Sequence, residues 1–271
     1  DRNTVEVTVL ITAWNSSGTK AQATIDRITI QKRQVDKTID MKTIIATAKK
    51  RTVVSAEQGF CINYTVKIPR SLSLKVYNEF GNLTVEEALG TVNLNNQHGN
   101  LKVGHMGPGS LQMAHGNLLA EQLTGKTRIS TKHGNTTVKK ADHLTMQVDF
   151  GNCLVRQVNY LSGMNKNGHM TIERVQQHLK WDIRFGNILV KRVDEDFQHL
   201  ELDTQHGNTS VQIAGRPAFM LDSSVKNGRL TQGFNVQEET EVLTTRAKGA
   251  VHGGSDRKAS VHVAFGNLLL Q

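Results

Sequence analysis

The sequence predicts an all-β fold: a parallel β-solenoid (β-helix) of short two-strand coils, preceded by a β-rich cap that contains one short helix. Three observations predict it. A Phe/His-Gly-Asn triplet recurs along the chain, its glycines keep a near-constant spacing, and apolar residues alternate with period two on either side of each triplet. The triplets are Phe80-Gly81-Asn82, His98-Gly99-Asn100, His115-Gly116-Asn117, His133-Gly134-Asn135, Phe150-Gly151-Asn152, Phe185-Gly186-Asn187, His206-Gly207-Asn208 and Phe265-Gly266-Asn267. Degenerate copies stand at Asn167-Gly168-His169, Asn227-Gly228-Arg229 and Lys248-Gly249-Ala250. Subtracting successive glycine positions gives 18, 17, 18, 17, 17, 18, 21, 21, 21 and 17.

Residues 1–69 lack the repeat and are read as the cap. Strand-like alternation covers Val5 to Ile11, recurs at Ile28-Thr29-Ile30 and from Ile39 to Ile45, and ends in Phe60, Ile62, Tyr64, Val66 and Ile68. Ser16-Ser17 followed by Ala21, Ile25 and Ile28 reads as a capped helix. Residues 70–271 are the repeats. One period runs Asn82-Leu83-x-Val85, a turn at Leu89-Gly90, then Val92-x-Leu94, so each half is a strand with one buried face.

Gly81, Gly99, Gly116, Gly134, Gly151, Gly186, Gly207 and Gly266 supply the positive φ that a tight corner needs. Asn82, Asn100, Asn117, Asn135, Asn152, Asn187, Asn208 and Asn267 tolerate the same region and stack as a side-chain ladder. The residue before each glycine shares parity with Leu94 and Asn96, so the Phe/His column is expected to point inward or cap the corner. The wider periods imply insertions at the opposite turn, at Asp194-Glu195-Asp196-Phe197, Gly215-Arg216-Pro217-Ala218 and Gln237-Glu238-Glu239-Thr240, where solenoids often build a binding face. The final coil, Phe265 to Gln271, shows no cap, which keeps open a structural polymer made by end-to-end stacking.

Composition fits a folded chain with a thin aliphatic core: 37% hydrophobic, 5% aromatic and only 3 prolines. An excess of 33 Lys+Arg over 24 Asp+Glu favours acidic partners such as an anionic polysaccharide, lipopolysaccharide or other envelope component, nucleic acid or an anionic membrane. Cys61 and Cys153 match no metal or redox spacing and are read as free buried thiols. Without a run of about 18 apolar residues, no transmembrane segment is expected. The start at Asp1, directly on strand-like alternation, is compatible with an export signal removed upstream.

His98, His115 and His133 fall in consecutive coils, but a metal site is not expected. Nitrogens on one tetrahedral ion lie about 3.3 Å apart, against about 4.8 Å between stacked strands. Neighbouring imidazoles should resist a second positive charge, so acid is expected to loosen these coils. No cofactor is implied. Lys139, Lys140, Arg156, Arg174, Lys191 and Arg192 lie five or six residues after successive glycines, and are read as one cationic row able to track an acidic glycan.

The basic set Lys32, Arg33, Lys37, Lys42, Lys49, Lys50 and Arg51 comes without aromatic platforms or a nucleic-acid motif, so no nucleic-acid partner is expected. Paired carboxylates, a nucleophile elbow, HExxH and a phosphate loop are all absent, and Glu86, Glu121, Glu173 and Asp203 are scattered in sequence. The reading is therefore non-catalytic. A polysaccharide-acting enzyme is the alternative that a focused carboxylate cleft would favour.

The opening strand, the segment Lys20-Ala21-Gln22-Ala23-Thr24-Ile25-Asp26-Arg27-Ile28, the lead-in Tyr64-Thr65-Val66-Lys67-Ile68-Pro69 and the coils after it resemble a family of adhesin-type proteins of the bacterial cell envelope, most of them domains of unknown function. The resemblance spans nearly the whole chain. It implies an exported β-solenoid of the periplasm or cell surface and offers no catalytic residues. Coils of that family typically carry an aromatic-Gly-Asp corner; here His or Phe precedes the glycine and Asn replaces Asp, which removes a column of acids.

Overall fold

A computed structural model describes residues 3–46 and 57–271, so Lys49, Lys50 and Arg51 lie outside the described residues. The chain divides into two compact units, Asp1–Pro69 and Arg70–Gln271. The first contains β1 (Glu6–Trp14), α1 (Gly18–Ile25), β2 (Ile28–Val35), β3 (Thr38–Ile45) and β4 (Gly59–Lys67). β1 pairs antiparallel with β4, and β2 with β3. The helix starts after Ser17 as expected, but no side chain caps it: the Ser17 carbonyl accepts the first-turn bonds from Lys20 and Ala21, and the Ser17 hydroxyl pairs with that of Thr19.

The second unit is a parallel β-solenoid. Its strands are β5 (Leu74–Phe80), β6 (Leu83–Ala88), β7 (Val92–His98), β8 (Leu101–Met106), β9 (Gly109–His115), β10 (Leu118–His133), β11 (Thr136–Phe150), β12 (Cys153–Asn167), β13 (Met170–Phe185), β14 (Ile188–Val193), β15 (His199–Gln205) and β16 (Thr209–Ile213). Then follow β17 (Phe219–Lys226), β18 (Leu230–Gln232), β19 (Gln237–Glu241), β20 (Thr244–Val251), β21 (Lys258–Ala264) and β22 (Leu268–Leu270). Eight coils, with corners at Gly81, Gly99, Gly116, Gly134, Gly151, Gly168, Gly186 and Gly207, stack in chain order through parallel ladders. Each coil sends alternate side chains inward: Leu144, Met146, Val148, Val155 and Val158 of one coil are 2% exposed or less. A lone coil has no inside, and only its neighbours seal that row from water.

The corner glycines are fixed by crowding as much as by φ. Gly134 has φ +131°, and a Cβ there would lie 1.8 Å from the Gly116 carbonyl oxygen one coil away. The asparagine ladder forms, but not side chain to side chain. Each Asn Oδ1 accepts the backbone N–H of the next coil's ladder residue: Asn82 from Asn100 at 2.8 Å, Asn100 from Asn117 at 3.0 Å, Asn117 from Asn135 at 3.1 Å and Asn135 from Asn152 at 3.2 Å. His169 replaces one asparagine and keeps the ladder going, its Nδ1 accepting from the Asn187 N–H at 3.2 Å.

Several expectations are corrected. The Phe/His column faces outward: Leu94 and Asn96 are buried, yet His98 is exposed and Phe80 is 70% exposed. The chain bends at the corner, and parity carried from the strand ends there. The opposite turn does not end the strands through the middle coils: β10 to β13 continue around it with 15 or 16 residues each, and the ladder only shifts register there, at Leu123/Lys126 and Val158/Tyr160. Cys153 is a buried free thiol, pushed up to about 12 by burial, whereas Cys61 is exposed.

The largest correction concerns the end. Gly249 is not a corner; it lies within β20, opposite Leu221 in an antiparallel pair. The last coil in the chain, β21–β22, is not last in space. β21 pairs with β15 on one side and β17 on the other, and β22 lies between β16 and β18. The coil β17–β18 is therefore outermost, and β20 closes its edge as an antiparallel strand, backed by β19. The residues expected as a third bulge, Gln237 to Thr240, are in that sealing hairpin. Phe197, Phe219 and Phe234 pack edge to face at 5.5 and 5.4 Å beneath it.

Candidate functional site

Stacking converts one position of the repeat into a column of identical height, so a surface is read column by column. The expected cationic row resolves into two neighbouring columns. Lys140, Gln157 and Arg174 are in register, while Lys139 and Arg156 lie one position earlier in their coils. Four of its six cations are already partnered. Lys139 binds Glu121 at 2.9 Å, Lys191 meets Glu173 at 3.7 Å, and Arg174 and Arg192 both bind Asp194, at 2.7 and 2.9 Å. Asp194 is only 6% exposed; burial pushes its carboxyl up, but hydrogen bonds from Arg174 and Arg192 outweigh this and hold it below the ordinary range. Lys140 and Arg156 have no acidic partner among the described residues.

A different surface is concave. On the strand leading to each triplet, Arg128, Thr145, Ser162 and Lys180 occupy one column. Two short hydroxyl side chains sit between two long cations, so the face dips in the middle. Thr145 and Ser162 share a hydrogen bond of 3.2 Å on the floor. The dip comprises two adjoining hollows of about 540 and 340 Å³ that share Arg128, Thr145, Ser162 and Lys180. Three coil steps separate Arg128 from Lys180, about 14 Å at ordinary strand spacing.

One wall is a second ring column. His143 stacks on Tyr160 at 4.2 Å, Tyr160 on His178 at 4.7 Å, and His199 follows, tilted, at 6.4 Å. Burial, then the neighbouring His199 and His143, push the His178 imidazole below its ordinary value. The other wall is Gln147, Met164 and Asp182. Lys126 and Arg128 have no acidic partner among the described residues, whereas Lys180 is held by Glu201 at 2.9 Å. That hydrogen bond, then His199, holds Glu201 below its ordinary range.

Past Asp182 the same column continues to Asp203, His262 and Ser224. His262 is gripped by Ser224 at Nδ1, 2.8 Å, and by Ser260 at Nε2, 3.0 Å. Burial, and secondarily Asp182 and Glu201, raise Asp203, with His262 opposing. Sequence reasoning missed both stretches. The signal for the first was present: His143, Tyr160, His178 and His199 are 17, 18 and 21 residues apart, the period of the glycines themselves. The second carried no linear signal, because His262 reaches Asp203 only through the displaced last coil.

The opposite-turn insertions Asp194 to Phe197 and Gly215 to Ala218 are not an open face. They hold the crossing segment 252–257: Arg257 donates to the Glu195 carbonyl at 2.8 Å, Ser255 to that of Ala218 at 2.6 Å, and His252 Nδ1 to that of Pro217 at 3.1 Å. No protein-family model, no curated protein and no solved structure matches this chain.

Proposed function

We propose that this protein is a non-catalytic binding solenoid of the bacterial cell envelope, exported and adhesin-like, that holds an extended anionic polysaccharide along the hollow. The observation that carries the reading is the hollow's make-up: a hydroxyl floor at Thr145 and Ser162, a wall of ring edges, and, at one end, the cations Lys126 and Arg128, which have no acidic partner among the described residues. Hydroxyls and ring edges suit a sugar chain, and these cations select an acidic one. The envelope and adhesin parts rest on the resemblance in the cap segment, the lead-in and the coils.

The test is binding of polygalacturonate, with neutral dextran as control, to the wild type and to two double variants. Lys126→Glu with Arg128→Glu should weaken polygalacturonate binding at least tenfold, and added salt should weaken the wild type. Lys140→Glu with Arg156→Glu, on the other columns, should change it little. Equal loss in both variants would reduce the interaction to net charge and remove the hollow from it.

One observation favours a second reading, a polysaccharide-acting enzyme: Asp182 and Asp203 are neighbours in register, and Asp203 is the carboxyl that resists ionisation. Two carboxyl groups on neighbouring coils, one of them raised by burial, are the residue types that glycoside cleavage uses. Release of reducing ends from polygalacturonate by the wild type but not by Asp203→Asn would support it. Stable binding without release favours the scaffold.

A further inference from the structure

The displaced last coil has a further consequence for assembly. We propose that Lys258–Gln271 is an exchangeable segment, which a second copy of this chain accepts to form a reciprocally exchanged dimer. Both walls of the slot it fills are built from residues outside the segment. β15 and β16 form one wall, β17 and β18 the other, and the coil bonds to both along its length. Ala259, Val261, Val263, Leu268 and Leu270 fill the interior at 3% exposure or less. The ladder runs through it, with the Asn267 N–H donating to Asn208 at 2.9 Å and Asn267 Oδ1 accepting from Arg229 at 3.0 Å. Each of these contacts is identical whether the coil comes from the same chain or another, so exchange adds no new interface and loses none.

Two features favour exchange. In the folded chain the outermost coil β17–β18 shares no ladder with β15–β16, and β21–β22 pairs with both. Until the segment docks, the slot is therefore open, with unpaired strand edges on both walls that other copies can reach. The crossing segment is also strained in the closed form. His252, Gly253 and Gly254 carry φ of 50°, 87° and 72° in succession, and the left-handed position at His252 is released when the segment extends. The carbonyl anchors at Glu195, Pro217 and Ala218 oppose this by guiding the segment back across its own corner. Closure is thus favoured in dilute solution and exchange in concentrated solution.

The experiment refolds the full chain from denaturant over a range of concentrations and sizes the product by light scattering. A dimer is expected whose share grows with concentration during refolding and persists after dilution. Deleting Gly253 and Gly254 shortens the crossing and should raise the dimer share about tenfold. Refolding a mixture of ¹⁵N-labelled and unlabelled chains, followed by lysine cross-linking, should join Lys258 peptides to lysines of the opposite isotope within the dimer. Monomer alone at every concentration, or a dimer whose Lys258 cross-links stay within one isotope, would overturn the proposal. The mixed-isotope readout on the wild type decides the matter even if the shortened variant does not fold.

Discussion

Gly134 shows how much a single residue carries in this architecture. Neighbouring coils approach so closely at the corner that a methyl group at Gly134 would lie 1.8 Å from the Gly116 carbonyl oxygen, at φ +131°. Gly134→Ala is therefore expected to cost at least about 2 kcal/mol, combining left-handed strain with a clash that only separation of two coils relieves. Gly233→Ala, where a Cβ meets nothing within 4 Å, should stay within about 0.5 kcal/mol. Denaturant midpoints of the two variants check both values. The ladder offers the reverse substitution: His169→Asn restores the residue used at the other rungs and should hold stability or raise it by up to about 1 kcal/mol.

At the scale of an element, the wall of stacked rings gives the protein a sensitivity to mild acid. His178 sits between Tyr160 and His199, and burial and its histidine neighbours lower its affinity for a proton relative to the ordinary value of 6.5. Above pH 6.5 neither folded nor unfolded chain is protonated there, and the group contributes nothing. As the pH falls below 6.5 the unfolded chain takes up the proton first, so folded stability declines. Thermal midpoints measured from pH 8 to pH 5 should fall, and His178→Gln should flatten the decline. Glu121, Asp149, Asp194 and Glu201 are held below their ordinary values by partners and lose their contributions only below about pH 4.5, a separate window.

Across the whole molecule, what could be read from sequence was what repeats locally. Glycine spacing located the true corners at Gly81 through Gly207, and alternation located the buried rows, because both follow from backbone geometry within one period. Three things were not legible for physical reasons. Parity does not survive a corner, so alternation alone leaves the ring column either inward or capping the corner, and the rings stand outside. Partners of a charged column belong to other coils, so Glu121 and Asp194 went unmatched with Lys139 and Arg174. Pairing order between distant segments leaves no local trace, so Gly249 has the spacing of a corner yet lies within β20.

The pairing order bears on polymerisation, because β21–β22 is enclosed between other strands and the outermost coil, β17–β18, is covered by β20 and β19. The seal depends on Ala247, fully buried against β17, whose carbonyl accepts from the Ser223 hydroxyl at 3.2 Å. Ala247→Glu would place an uncompensated charge under the hairpin. It should detach the hairpin from β17 without dismantling the coils behind it, since their core rows lie further down the stack. A parallel coil edge is then exposed, the kind of edge that recruits further strands. Light scattering should show concentration-dependent growth for Ala247→Glu and none for Arg246→Glu, whose side chain is exposed on the same strand. Growth in both variants, or in neither, would mean that the hairpin is not what keeps the coils from stacking end to end.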